Sequence, residues 1–419
     1  MDFYFLQSVQ VNFTIGEKDT LKMIKSIKKQ STQLLIGYTI SGLGDQFYTF
    51  AIPLLMLTRS HSSITMGLLT AMEYLPTALF GIIIGSIFDI FSRKNIMLYS
   101  LLMQSILILI IPLITVYKFP IWLILITIFI IGTFDLISWT GYQILISESV
   151  TTAELSDVSG KIGLISSIQK TVGPGISAVV VNLLNYLGGF ILDFLSFLYL
   201  AITVKKLHIE QPTPNSKKKN IKRILSDGIK FLINQHEIKW MVLSFLAANI
   251  GFQLIIPMLT FILKQRMHVS IDKISLLFTI SSIASIIGNF IYLRYGKKIK
   301  LGLQFIAIGL LITLGFILML DLKSFWLFLI GYAIVSFGSV WAQANFFTII
   351  QSRTPNKYKG MVTSTSTSLT RITGPFIAIL SAIIIKVSYE LLFSLAILCM
   401  LLSIGITLLS KLYKLDYLK

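Results

Sequence analysis

The sequence predicts an all-α membrane protein of twelve transmembrane helices arranged as two six-helix halves. Three observations carry that expectation. Of 419 residues, 55% are hydrophobic and 13% charged, with a mean hydropathy of +0.82, whereas an average soluble domain carries roughly 25% charge. Twelve helices of about 20 residues would use ~240 residues, close to that apolar share. The apolar runs are continuous rather than alternating with period two, which argues against a porin-like barrel. A soluble enzyme, a disordered chain and a fibrous chain are excluded together.

Taken in order, the runs place spans near 31–57, 64–88, 96–117, 120–146, 159–183 and 188–204. After one long break they resume near 240–263, 273–293, 301–320, 325–350, 361–385 and 390–410. The break holds Gln211-Pro212-Thr213-Pro214, the run Lys217-Lys218-Lys219, and an amphipathic stretch from Ile221 to Ile238. It reads as a linker followed by a surface helix. The expected domains are an N-terminal segment 1–30, a bundle 31–204, a linker 205–239, a second bundle 240–410 and a tail 411–419. Residues 1–30 contain no h-region or cleavage site, so no signal peptide is expected to be removed. One cysteine, Cys399, sits in an apolar run, and no intrachain disulfide can form.

Net charge is +18, from 36 Lys and Arg against 18 Asp and Glu. With the N-terminus inside, alternate loops collect Lys18, Lys22, Lys25, Lys28, Lys29, Arg93, Lys94, Arg294, Lys297, Lys298, Lys300, Arg353, Lys357 and Lys359. The linker cluster and Lys411, Lys414 and Lys419 join them. The other loops keep only Arg59, Lys118, Lys264, Arg266 and Lys323. This is the positive-inside bias, and it predicts both termini in the cytoplasm. Nucleic acid is not an expected partner, because the cations do not interleave with aromatics on one folded face.

The two halves repeat at an offset of about 200 residues. Ile52-Pro53 answers Ile256-Pro257, Gly85 answers Gly288, and Gly173-Pro174 answers Gly374-Pro375. Asp45 then falls on Asn249, and Lys170 on Arg371. Parallel halves related by an axis along the membrane normal are a carrier architecture, with the ligand site between them near the midplane.

The loop after the second span runs Gly81-Ile-Ile-Ile-Gly85-Ser-Ile-Phe-Asp89-Ile-Phe-Ser-Arg93-Lys94. It resembles the signature loop of the major facilitator superfamily at Gly85, Asp89, Arg93 and Lys94, with Ile90 replacing that signature's first Arg. Ser166 to Ala178, around Val172-Gly173-Pro174-Gly175, resembles the Gly-Pro motif of antiporters in that family, with Gly160 also fitting and Gln169, Ser177 and Ala178 replacing its other glycines. Gly44-Asp45, Tyr74-Leu75-Pro76, Gln143 to Val150 and Asp227 to Phe231 resemble the macrolide-efflux and siderophore-exporter branch. The resemblance implies the major facilitator fold, and efflux of a small organic molecule by proton antiport across a bacterial cytoplasmic membrane. It also favours reading Asp89, Arg93 and Lys94 as a charge latch that holds one state and breaks in the other. Ordinary topology-setting cations are the alternative.

Within the spans, ionisable residues stand out. Asp45, Glu73 and Asp135 lie mid-span in the first, second and fourth helices, and Lys170 and Arg371 occupy equivalent depths in the fifth and eleventh. A charge at the bilayer centre costs about 2.5–3.5 kcal/mol, so each must face protein or a wet cavity. Asp45, with Glu73 and Asp135 behind it, is the candidate proton carrier, because burial and neighbouring charge together decide whether a carboxylate holds its proton. Lys170 and Arg371 are candidate counter-ions or anion anchors. Ion pairs that merely fix packing are the rival reading. Asp193 lies nearer the far end of its span and reads as interfacial. Tyr48, Trp139, Trp341 and Phe346 are candidate cavity-lining aromatics against routine lipid-facing use. Gly173-Pro174 and Gly374-Pro375 are candidate bends, since a proline's freed carbonyl must be re-satisfied in lipid.

No Walker loop is readable, so ATP is not the expected energy source. His61, His208, His236 and His268 lack metal-site spacing, and no cofactor, metal or enzymatic activity is expected. The expected partners are a small-molecule substrate, protons and lipid, with the protein a monomer. A drug-like or macrolide-like cation and a siderophore-type anion remain the competing substrates. An importer, a lipid-handling carrier and a non-transporting receptor stand as alternatives.

Overall fold

The computed structural model describes residues 17–90, 92–148, 152–207, 230–354, 362, 365–366, 369–370 and 372–415. Within these, helices α1 (Glu17–Ser60), α2 (Ser63–Ile90), α3 (Arg93–Val116), α4 (Ile121–Glu148) and α5 (Thr152–Lys206) build the first half. The second half contains α6 (His236–Ile255), α7 (Ile271–Tyr295), α8 (Leu301–Met319), α9 (Phe325–Arg353), α10 (Gly374–Val387) and α11 (Tyr389–Leu409). Eight stretches among the described residues are long and apolar enough to cross a bilayer. α1 and α2, which carry Asp45 and Glu73, are not among the eight, and α10 is a shorter apolar helix. Lys217-Lys218-Lys219 and Asp227-Gly228 of the linker lie outside the described residues.

α5 is two spans run together. They meet at Asn185, whose φ of 57° and ψ of −177° leave the helical region and fold the chain back. That combination lies in a region otherwise nearly reserved for glycine, and an asparagine there costs about 1–3 kcal/mol. Four other helix starts are fixed by hydroxyls. Ser92, Ser270, Ser324 and Ser388 each accept a hydrogen bond from the backbone N–H three residues on, starting α3, α7, α9 and α11. These caps satisfy donors that would otherwise be orphaned at a helix start.

Small residues then let the helices touch. Gly315 and Gly331 face each other's carbonyls across α8 and α9, at 2.8 and 2.6 Å from where a Cβ would sit. Gly42 receives Gln169, and Gly173 and Gly189 receive Gln46 and Phe47, which seats α1 against both arms of α5. In lipid, such close approach replaces the hydrophobic drive available in water. Large apolar side chains such as Leu183, Val387 and Leu409 are at least three-quarters exposed and form the lipid-facing surface.

The repeat is visible in three dimensions. His61 and His268 both carry a positive φ where α1 and the α6 span end. Gln104 and Gln304, 200 residues apart, are both buried. The prolines diverge, however. Pro53 sits inside an unbroken α1, while its counterpart Pro257 occupies a 3₁₀ turn (Ile256–Met258) that leads through Leu259–Phe261 into a π turn (Ile262–Arg266). Pro174 is within α5, whereas Gly374-Pro375 opens α10. The paired breaks expected from the sequence are therefore realised in different ways in the two halves.

Hydrogen bonds joining the halves run from mid-helix to the ends away from the termini. Ser282 Oγ donates to Lys170 O at 2.7 Å, Ser275 Oγ to Pro174 O at 2.8 Å, and Asn182 Nδ2 to Asp272 Oδ1 at 3.2 Å. Ser63 Oγ donates to Ala382 O at 2.9 Å, and Gln265 Nε2 lies 2.9 Å from His61 Nδ1. A Cβ on Gly67 would stand 2.6 Å from Ala378 O, so α2 and α10 touch backbone to backbone there. The halves are zipped on that side.

Candidate functional site

Two adjoining cavities lie beneath this zipped face. The larger, of about 490 Å³, lies between the halves. Gln46, Glu73, Tyr74 and Lys170 line it from the first half, and Phe278, Ser282, Ser285 and Tyr332 from the second. The smaller, of about 260 Å³, is enclosed by the first half alone and brings together Asp45, Tyr48, Glu73 and Asp135 with Gln104. Thr49 and Glu73 line both. Three mid-span carboxylates from α1, α2 and α4 thus converge around one small space. Asp45 and Glu73 are half-buried and Asp135 is exposed to the void.

A third cavity of about 210 Å³ occupies the equivalent place in the second half. It is lined by Asn249, Phe252, Phe305, Gln343, Phe346 and other apolar or neutral side chains. Asn249 donates to Phe245 O at 2.9 Å, so the residue that aligns with Asp45 is tied to its own helix. The halves share a shape and differ in charge: the carboxylates lining these cavities all come from the first half.

The Gly-Pro segment shows how α5 tolerates its proline. Pro174 lacks an N–H, which frees the carbonyl of Lys170 four residues back. Ser282 Oγ, from the opposite half, donates to that carbonyl. A helical defect has become an inter-half contact at the cavity wall.

The signature loop is only partly described. Arg93 Nε donates to Phe88 O at 3.4 Å, at the end of α2, and Lys94 Nζ to Leu207 O at 2.6 Å, just beyond α5. Cations at helix C-termini complement the helix dipole. Gly85 and Asp89 lie within α2, whereas Arg371 lies outside the described residues. Gly81 is exposed, with only Thr77 of its own helix near its Cβ position.

The aromatic candidates separate. Tyr48 lines the carboxylate cavity. Trp139 is 42% exposed and stacks on Tyr142, which in turn stacks on Tyr38 at 4.5 Å. Phe346 lines the second-half cavity. Trp341 lines none of the three. It is buried, and its Nε1 donates to Gln304 Oε1 at 2.8 Å. Gly374 packs on the Tyr74 ring.

Sequence reasoning missed three features. Asp193, read as interfacial, is completely buried. Gln104, whose Nε2 donates to Ser138 Oγ at 2.5 Å, is a wall of the carboxylate cavity, and its exact 200-residue spacing from Gln304 was the available signal. The serines of α7 that reach α5 left no pattern distinct from ordinary helix polarity.

Two halves joined at one face, with a polar cavity between them at mid-membrane, define a secondary carrier and not an enzyme. The sequence matches the Major Facilitator Superfamily over residues 34–378 and again over 241–415. The chain belongs to that family. No curated protein matches it significantly. Among solved structures it is similar to a bacterial homologue of the iron transporter ferroportin in its inward-facing state, with a TM-score of 0.73 at 15% identity over 91% of this chain and 98% of that one. The nucleoside transporter NupG gives 0.70 at 14% identity over 92% and 100%. A bacterial homologue of the human lysosomal transporter Spinster, inward-facing and unoccupied, gives 0.64 at 11% over 93% and 96%. These likenesses concern the fold.

Proposed function

We propose that this carrier exports a small organic molecule by proton antiport, alternating the inter-half cavity between the two sides of a bacterial cytoplasmic membrane. The observation that carries the reading is Glu73, which lines both the carboxylate cavity and the inter-half cavity. A substrate in the larger space and a proton in the smaller one therefore meet at one residue. Asp45 is the principal proton carrier, with Glu73 as the reporter between sites and Asp135 as the wet outer member. A carboxylate in low dielectric gains stability by holding a proton. An arriving cation offers it a competing partner. Binding one and releasing the other is antiport.

The energetics suffice. An inside-negative potential supplies ~2.3 kcal/mol per charge per 100 mV, and each pH unit adds about 1.4 kcal/mol. Exchanged for one proton, a net-neutral zwitterion draws on both terms, whereas a monovalent cation cancels the potential and draws on the pH term alone, roughly a tenfold gradient per pH unit. With the termini cytoplasmic, the zipped face is external and the cavity is reached from the cytoplasm, where an exported molecule enters. The substrate proposed is an organic cation or zwitterion of drug or macrolide size, since Asp45, Glu73 and Asp135 outnumber Lys170 around the cavities. Lys170, lining the inter-half cavity, supports a second reading in which a siderophore-type anion is carried.

Proteoliposomes with an acidic lumen and outward-facing cytoplasmic surface provide the test. They should accumulate ethidium against its gradient, and Asp45→Asn should reduce that accumulation at least tenfold. Wild-type accumulation by Asp45→Asn would remove Asp45 from the mechanism.

A further inference from the structure

Asp193 stands on the second arm of α5 with no exposed surface at all. Its Oδ2 has no hydrogen-bond partner. Its Oδ1 receives only Ser196 Oγ, at 3.4 Å, a hydroxyl that also donates to Asp193 O at 2.7 Å. No described Lys or Arg pairs with it. An ionised carboxylate sealed this way would forfeit its hydration with nothing in return. A neutral carboxylic acid loses far less.

Its position is specific. A Cβ on Gly44 would fall onto Asp193 Oδ1 and Ser196 Oγ. Glycine at 44 therefore admits the carboxyl to the surface of α1, immediately beside Asp45. The titratable groups beside Gly44 on α1 are Asp45, next in the chain, and Tyr48, one turn on. Asp135 on α4 shares the carboxylate cavity with Asp45 and Tyr48. α3 contributes the neutral Gln104 and Ile108 to this pocket. The order from the void inward is thus a wet carboxyl, Asp135, then Asp45, then a dry carboxyl behind Gly44.

We propose that Asp193 is a second proton-binding site that stores a proton out of contact with water and exchanges it with Asp45. When Asp45 is ionised by an arriving cation, movement of α1 along α5 brings the two carboxyls together. The O–H bond at Asp193 breaks as one forms at Asp45, and the negative charge passes from one carboxylate to the other with no other reactant. Ser196 Oγ turns its hydrogen toward Asp193 Oδ1 while the charge resides there. This inference rests on the proton-antiport reading and extends it by one buried site.

Infrared difference spectroscopy on the full chain in liposomes, with the buffer stepped through a pH series, decides the matter. A protonated-carboxyl C=O band should be present at neutral pH, vanish in Asp193→Asn and shift in Asp45→Asn. Gly44→Ala keeps the native acid and serves if Asp193→Asn fails to fold; it should displace the same band. In parallel, protons moved per ethidium transported should fall in Asp193→Asn. A band equally strong in wild type and Asp193→Asn overturns the proposal, because Asp193 is then ionised. A band lost in Asp193→Asn but insensitive to pH and to Asp45→Asn also overturns it, leaving Asp193 a fixed packing acid. Absence of proton-driven ethidium movement in wild type would sink the antiport reading separately, while the infrared series still decides whether Asp193 holds a proton.

Discussion

Individual side chains in this bundle are constrained by what lipid cannot offer them. Lys170 reaches the inter-half cavity and its carbonyl, freed by Pro174, is bound by Ser282. Lys170→Ala should therefore weaken transport of anionic substrates selectively, by tenfold or more, while leaving the Ser282 contact in place. Equal loss for ethidium and for an anionic dye would refute its role as an anion anchor. Trp341 makes the opposite case. Trp341→Phe deletes one buried hydrogen bond to Gln304 and should cost about 1 kcal/mol of stability, read as a lower melting temperature in detergent, with substrate preference unaltered. A changed preference would put Trp341 in the binding machinery after all.

At the scale of elements, packing distances set what the helices can do. α2 and α10 touch backbone to backbone at Gly67, on the zipped face. A Leu at Gly67 cannot be housed by a shift of flexible side chains, because a carbonyl is in the way. Gly67→Leu should hold that face open, raising the labelling rate of a cysteine placed at buried Leu69 and lowering turnover several-fold. Labelling identical to that of the Gly67 parent would show that the contact does not gate. The bend at Asn185 is a separate constraint. Asn185→Gly should be stabilising, whereas Asn185→Val should cost about 1–3 kcal/mol for its positive-φ, extended backbone.

For the whole molecule, the two halves are equivalent in form and unequal in chemistry. Asp45 lines a pocket of carboxylates, whereas Asn249 closes on its own helix in a pocket rich in phenylalanine. Rocking of one half on the other must break the Ser282, Ser275, Ser63 and Asn182 bonds and remake contacts near Arg93 and Lys94. Arg93→Ala should slow turnover without abolishing ethidium binding, and unchanged turnover would leave the latch without support.

Much of this architecture was legible beforehand. The helical, membrane-spanning class followed from apolar runs, because membrane insertion is decided locally, one twenty-residue stretch at a time, although α1 (Glu17–Ser60) and α5 (Thr152–Lys206) run beyond the expected spans. The carboxylates at 45, 73 and 135 were visible as costly exceptions within those runs. That Asp193 is sealed behind Gly44, that Trp341 turns to Gln304, and that Glu73 borders two cavities were not legible. Each depends on how helices far apart in the chain cross, and nothing in a local pattern encodes which faces will meet. Composition and the apolar runs therefore determined an all-helical, multi-span membrane protein, and the motif residues Gly85, Asp89, Arg93 and Lys94 carried the resemblance to the major facilitator superfamily. Only the tertiary structure decided which polar atoms share a space, because convergence of α1, α2, α4 and α5 is set by side-chain packing over long sequence separations.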